Sequence, residues 1–272
     1  MVASLKELGD VVLSGLSRTA GLDRVDARVP NGATPIDHLF MASADFRVPP
    51  LLEPGHHAAI VAPSSALATI FPHKRDLGLQ RLRTVFCLEP VLLPSASASR
   101  DGSPAARARD LVSAFADPAI HVVICTIGGD DLIRLMPYLA DALVCAEPKA
   151  LVGFSDITAL HLLLWKRHRV VSYYGGNLLC QFAMGGAAMH PYTVAAVRSA
   201  LFLHGPQELT ASAAFLDGQP DWADRANLLA EPALEENVGG WQWSTAWDRD
   251  GRYDGDDVDQ RRGTAEVLRG RL

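Results

Sequence analysis

The 272-residue sequence contains no uninterrupted run of eighteen apolar residues, so it offers no candidate transmembrane helix. It has no basic excess either. The net charge is −6, which gives no electrostatic reason to expect nucleic acid or an anionic membrane as partner. Cysteine is scarce: Cys87, Cys125, Cys145 and Cys180 show no C-x-x-C spacing, and Cys125 and Cys180 lie in apolar runs. That pattern suits reduced core thiols better than disulfides or metal ligands, and no cofactor motif accompanies it. The N-terminal Met1-Val2-Ala3-Ser4-Leu5-Lys6-Glu7-Leu8 carries charges where a secretory signal needs an apolar stretch, so the expected compartment is the cytoplasm. Apolar residues make up 49% of the chain against 21% charged, enough for a sizeable globular core.

Punctuation by Pro and Gly sets the organisation. Residues 1–50 are a weakly patterned leader with one amphipathic run over 5–16. Short apolar strands are expected at 58–62, 90–94, 121–127, 149–154 and 170–174, and helices at 74–84, 104–116, 131–139 and 158–165. Strand and helix alternate, so the expected fold is α/β with a largely parallel sheet flanked by helices. Residues 51–205 form that domain. Residues 206–265 read as a polar linker containing Trp222, Trp241, Trp243 and Trp247, with a possible strand over 209–216, and 266–272 as the start of a further strand. The Asp/Gly alternation over 248–257 lacks the closing Glu and the glycine register of a calcium loop.

Gly153-Phe154-Ser155-Asp156-Ile157-Thr158 joins an expected strand to an expected helix. A serine on such a turn has its hydroxyl thrust out of the backbone beside the free N–H groups of a helix start, which suits a nucleophile. The plainer reading is that Ser155 or Asp156 caps the helix. Gly128-Gly129-Asp130 ends another strand at the same sheet edge, where ligands bind in open parallel sheets. Its backbone N–H groups could hold an oxyanion, with the N–H of Asp156 as a second donor. A tight turn needing positive φ, or a nucleotide-binding Gly-Gly-Asp loop of the kinase type, accounts for the same residues. Asp131 and Leu132 stand where that loop has Gly and Thr, which removes the close approach of backbone to phosphate.

Taken in order, Ile127-Gly128-Gly129-Asp130-Asp131, Gly153-Phe154-Ser155-Asp156 and Ser172-Tyr173-Tyr174-Gly175-Gly176 resemble the LD-carboxypeptidase family of serine peptidases, most closely its microcin C self-immunity branch. Val61-Ala62-Pro63-Ser64-Ser65, Phe71-Pro72-His73 and Met189-His190-Pro191 support the resemblance, which spans about residues 50–247. It implies a two-domain hydrolase with a Ser–His–Glu triad, the serine in the N-terminal α/β domain and the other two in a β-rich C-terminal domain. By that resemblance Ser155 is the nucleophile, Gly129 and Asp156 supply the oxyanion-hole N–H groups, and Asp130 and His73 are pocket residues. The implied substrate is a small peptide with a free carboxylate, or a peptidyl- or aminoacyl-nucleotide.

The family's glutamate and histidine have no match here: the chain reaches Gly270-Arg271-Leu272 where the segment before the glutamate would begin, and the last histidine is His204. A serine hydroxyl needs a base at neutral pH. His161 lies six residues beyond Ser155 and should face away from it, His190 reads as a helix-start residue, and Glu231, Glu235 and Glu236 fall in the linker. The expectation is therefore a nucleophile domain whose C-terminal domain is largely absent, hence incomplete alone. Its uncovered apolar surface would favour a homodimer. A non-catalytic remnant or binding protein, and a nucleotide-binding Gly-Gly-Asp protein, remain as alternatives.

Overall fold

The computed structural model describes residues 46–97, 102–139, 142–143, 147–205, 207, 210–216 and 220–238, all within one compact unit that begins at Asp45. The amphipathic run over 5–16, the Asp/Gly stretch over 248–257, the strand start over 266–272, Cys145, Trp241, Trp243 and Trp247 lie outside these residues.

Five parallel strands form the sheet: β1 (His57–Val61), β2 (Glu89–Leu92), β3 (Ile120–Cys125), β4 (Ala150–Gly153) and β5 (Tyr173–Tyr174), in the order β2-β1-β3-β4-β5. The α/β expectation is met. The helices are α1 (Leu67–Ile70), α2 (Pro72–Phe86), α3 (Pro104–Ala116), α4 (Met136–Leu139), α5 (Thr158–Leu163) and α6 (Pro191–Phe202). β1 and β3 alternate between two apolar layers, which is why both read as continuous apolar runs. Ala59, Val61, Val123 and Cys125 face Leu111, Phe115, Leu135 and Leu160 on one side. Ala58, Ile60, Val122 and Ile124 face Leu82, Phe86, Leu178 and Phe182 on the other. Burial pushes the Cys125 thiol far up and that of Cys180 to about 11, as expected of core thiols. No described helix is long and apolar enough to cross a membrane.

Several elements depart from the pattern read in the sequence. The expected helix over 131–139 splits into a 3₁₀ turn, Leu132–Leu135, and the short α4, because Pro137 has no N–H to carry one ladder through. The expected strand over 170–174 pairs regularly only at Tyr173–Tyr174, while Val170 makes an isolated parallel bridge to Arg47 and so ties in the chain before β1. α5 widens into a π-turn, Leu164–His168, and ends at Arg169 with φ 51°. A second π-turn, Leu178–Phe182, gave no sequence signal. In the expected strand over 209–216, Ala214–Phe215 (β6) is the stretch that pairs among the described residues, antiparallel with Glu235–Glu236 (β7).

The expected linker is partly structured. A 3₁₀ turn, Arg225–Leu228, follows Trp222, whose ring packs edge-on against Phe71. Glu231, Glu235 and Glu236 are exposed, as the composition suggested.

Candidate active site

In a doubly wound sheet of order 2-1-3-4-5 the crevice opens beyond the carboxyl ends of β1 and β3, where successive connections depart to opposite faces. The loops after β1, β3 and β4 meet there. After β4 the chain passes from extended Phe154 (φ −151°, ψ −177°) into Ser155 with φ +65°, then into a 3₁₀ turn, Ser155–Ile157, that leads into α5. A left-handed conformation costs a residue bearing a Cβ about 1–2 kcal/mol. Neither Ser155 nor Asp156 donates or accepts a side-chain cap at this helix start. The cap reading is thereby set aside. The strained serine is exposed, and its N–H donates to the Tyr174 hydroxyl at 3.2 Å.

The Gly128-Gly129 turn lies directly against this serine. A Cβ on Gly128 would stand 3.0 Å from the Ser155 Cβ and 3.2 Å from the Asp156 nitrogen, so a side chain there would crowd the serine turn. Gly129 has φ +154°, and a Cβ on it would lie 2.5 Å from the Ser64 Oγ. Gly129, Ser155 and Asp156 are therefore gathered at one edge of the sheet, as expected.

What holds them together is a set of side-chain contacts that the sequence reading did not foresee, with Arg107 the residue it missed. The Asp156 carboxylate accepts from the Ser64 hydroxyl and from the Leu132 N–H at 3.0 Å, joining the turn after β4 to the loops after β1 and β3. Arg107, buried on α3, donates to the Pro63 carbonyl at 3.0 Å, to the Ser64 carbonyl and to the Asp131 carboxylate. The Arg107 hydrogen bond, with Arg134 adding to it, holds the Asp131 carboxyl below the usual carboxylate range. The residue anchoring the glycine turn is thus Asp131. Asp130 is exposed beside it. Arg107 occupies one stripe with Leu111 and Ala114, and a cation at an apolar stripe position was the available signal.

His73 lies elsewhere. Its Nε2–H donates to the Trp222 carbonyl at 2.8 Å, and it lines a small cavity with Lys74, Asp221, Trp222, Asp224 and Asn227. None of Ser155, Gly129, Asp156 or Asp130 lines that cavity. Lys74 is buried there with its ammonium 4.7 Å over the Trp222 ring, and burial lowers its pKa. His161 is buried and reaches the Gly153 carbonyl, and His190 precedes α6 with no side-chain cap. Among the described residues no histidine or carboxylate is hydrogen-bonded to the Ser155 hydroxyl, and no group of three or more His, Cys, Asp or Glu is placed to hold a metal ion.

The model of the LD-carboxypeptidase N-terminal domain matches residues 58–175, which contain every loop just described. Over residues 58–175 the chain is thus similar to an LD-carboxypeptidase N-terminal domain. A Streptomyces coelicolor protein named "Putative carboxypeptidase" is 39% identical over 135 residues, covering 47% of this chain and 42% of the relative. The microcin C7 self-immunity protein MccF of Escherichia coli is 32% identical over 83 residues, 30% of this chain and 24% of the relative. Among solved structures, an MccF-like protein of Streptococcus pneumoniae in complex with AMP superposes with a TM-score of 0.62 at 32% identity, covering 68% of this chain and 55% of that one. The LD-carboxypeptidase resemblance and its microcin-immunity leaning are borne out, and the matched stretch includes the Gly128-Gly129 turn. The chain spans less than half the length of these curated relatives.

Proposed function

We propose that this chain carries the nucleophile half of a serine amidohydrolase, with Ser155 attacking the carbonyl of an amide and the N–H groups of Gly129 and Asp156 holding the oxyanion. The observation that supports it is the left-handed Ser155 at a strand-to-helix turn, with the Gly128-Gly129 turn packed on it. As the carbonyl carbon becomes tetrahedral, its oxygen gains charge that two fixed N–H donors stabilise with little reorganisation. Because the Ser155 N–H is engaged by Tyr174, the donor beside the nucleophile is that of Asp156, one residue on. The acyl-enzyme formed with loss of the amine is then hydrolysed by water.

The substrate proposed is a small peptide with a free carboxylate or a peptidyl- or aminoacyl-nucleotide. The AMP held by the Streptococcus pneumoniae relative and the self-immunity role in the name of the Escherichia coli one favour the nucleotide form. The general base belongs to a further domain in this reading, since the relatives are more than twice as long as the stretch they share with the chain. A non-catalytic binding role is the second reading, favoured by the Ser155 hydroxyl having no histidine partner among the described residues.

A fluorophosphonate probe separates the two when run on the full chain beside Ser155→Ala. The hydrolase reading expects labelling that requires Ser155, with the strained turn and the oxyanion donors sufficing for the reactive probe, while turnover of an aminoacyl sulfamoyl-adenylate awaits the domain that carries the base. A cooperatively folded chain that takes no label would leave the binding reading.

A further inference from the structure

His161 lies in the first turn of α5, where the tilt of helical side chains toward the N-terminus brings its ring back over the end of β4. The ring is 8% exposed and fully engaged: Nε2 is 2.9 Å from the Gly153 carbonyl and Nδ1 is 2.7 Å from the Ser172 hydroxyl. A carbonyl can only accept, so Nε2 carries the proton and Nδ1 accepts from Ser172. Burial pushes the imidazole pKa down, in keeping with this neutral tautomer. The Gly153 carbonyl also accepts the Gly175 N–H at 3.0 Å, so one acceptor binds the helix and the loop after β5 at once. The His161 ring packs at 5.5 Å from Tyr174, whose hydroxyl accepts the Ser155 N–H. Phe154 meets Tyr174 edge-on at 6.5 Å.

We propose that His161 is the positioning residue of the nucleophile turn, holding Ser155 in its left-handed conformation through the Gly153 carbonyl on one side and the Tyr174 ring on the other. The proposal rests on Ser155 as nucleophile and adds how that residue is kept in place. His161 does not touch the hydroxyl and takes no proton from it. It fixes the backbone two residues before the serine, and it steadies the phenol that occupies the serine's own N–H. Tyr174 is 63% exposed, and the rings packed on it are those of His161 and Phe154 among the described residues. Gln is the conservative variant, since one amide can donate to Gly153 and accept from Ser172.

The test is residue-resolved amide hydrogen exchange on the full chain, with fluorophosphonate labelling in parallel. In His161→Leu the amides of Ser155 and Gly175 should exchange at least about tenfold faster, while Val123 and Ile124 in β3 keep their rates, a pattern of local rather than global opening. Ser155 labelling should slow by a similar factor, and His161→Gln should recover most of both. Unchanged Ser155 exchange in a folded His161→Leu, or equal acceleration in β3, overturns the proposal. If His161→Leu does not fold, His161→Asn decides, because its shorter amide cannot span Gly153 and Ser172: faster Ser155 amide exchange supports the proposal and an unchanged rate refutes it. Absence of labelling in the wild-type chain counts against the nucleophile reading alone, because the exchange result does not depend on it.

Discussion

The strain at Ser155 can be measured by removing it. Ser155 is exposed and its hydroxyl has no hydrogen-bond partner among the described residues, so loss of the hydroxyl in Ser155→Ala should change stability by no more than about 0.5 kcal/mol. Ser155→Gly removes the hydroxyl and the Cβ together. At φ +65° the Cβ costs about 1–2 kcal/mol, and Gly returns about 0.5–1 kcal/mol of that through its greater freedom in the unfolded chain. The Gly variant should therefore exceed the Ala variant by about 0.5–1 kcal/mol, or about 1–4 °C in melting temperature for a domain of this size. Urea unfolding followed by circular dichroism reads the difference, and equal slopes would show that the unfolded states match. Neither variant should take a fluorophosphonate label. An Ala variant as stable as the Gly variant would refute the claim that the native turn stores strain at this residue, and with it the main support for Ser155 as nucleophile.

Gly129→Ala puts a methyl 2.5 Å from the Ser64 Oγ and 3.2 Å from the Ser65 Cβ, which should cost about 1–3 kcal/mol and suppress labelling of Ser155, read by denaturant melts and probe incorporation. Arg107→Leu leaves two loop carbonyls without their donor and the Asp131 carboxylate with Arg134 alone, and should cost about 2–4 kcal/mol, less than a fully buried pair because Asp131 is partly open to water and keeps that second cation. The Asp131 carboxyl is held below its unfolded value, so its contribution is present above about pH 4 and lost as pH falls through the folded value; the gap between wild type and Arg107→Leu should narrow there. Burial, then the facing His56 and His57, push the His121 imidazole below the usual histidine value, and burial does the same to His161 and His168. The unfolded chain then binds more protons below about pH 6.5, so urea midpoints should fall between pH 7 and pH 5.5, less steeply in His121→Gln. Ile70 and Ile133, in the connections after β1 and β3, and Tyr174, the last residue of β5, are exposed, so the chain should self-associate in light scattering unless another domain covers them.

The sequence was most legible where local physics decides the structure. Pro104 placed the start of α3, and the doubly buried runs of β1 and β3 required helices on both faces of a parallel sheet. The two glycines and Ser155 could be found because each answers to its own backbone geometry. The clamp around them could not, because it is made by residues far apart in the chain. Arg107 meets Asp131 across 24 positions and Pro63 across 44, and Ser64 meets Asp156 across 92. Nothing in the spacing of those residues records that they meet. Asp156 shows the difference within one residue. Its position after the serine suggested a helix cap or an oxyanion donor, both properties of its backbone surroundings. Its carboxylate ties the loops after β1 and β3 to the turn. A strained turn persists only where its surroundings over-determine it. Here they do so with a carboxylate clamp on one side of Ser155 and the His161–Gly153 contact on the other, so the rigidity of this edge comes from pairings that only the folded chain creates.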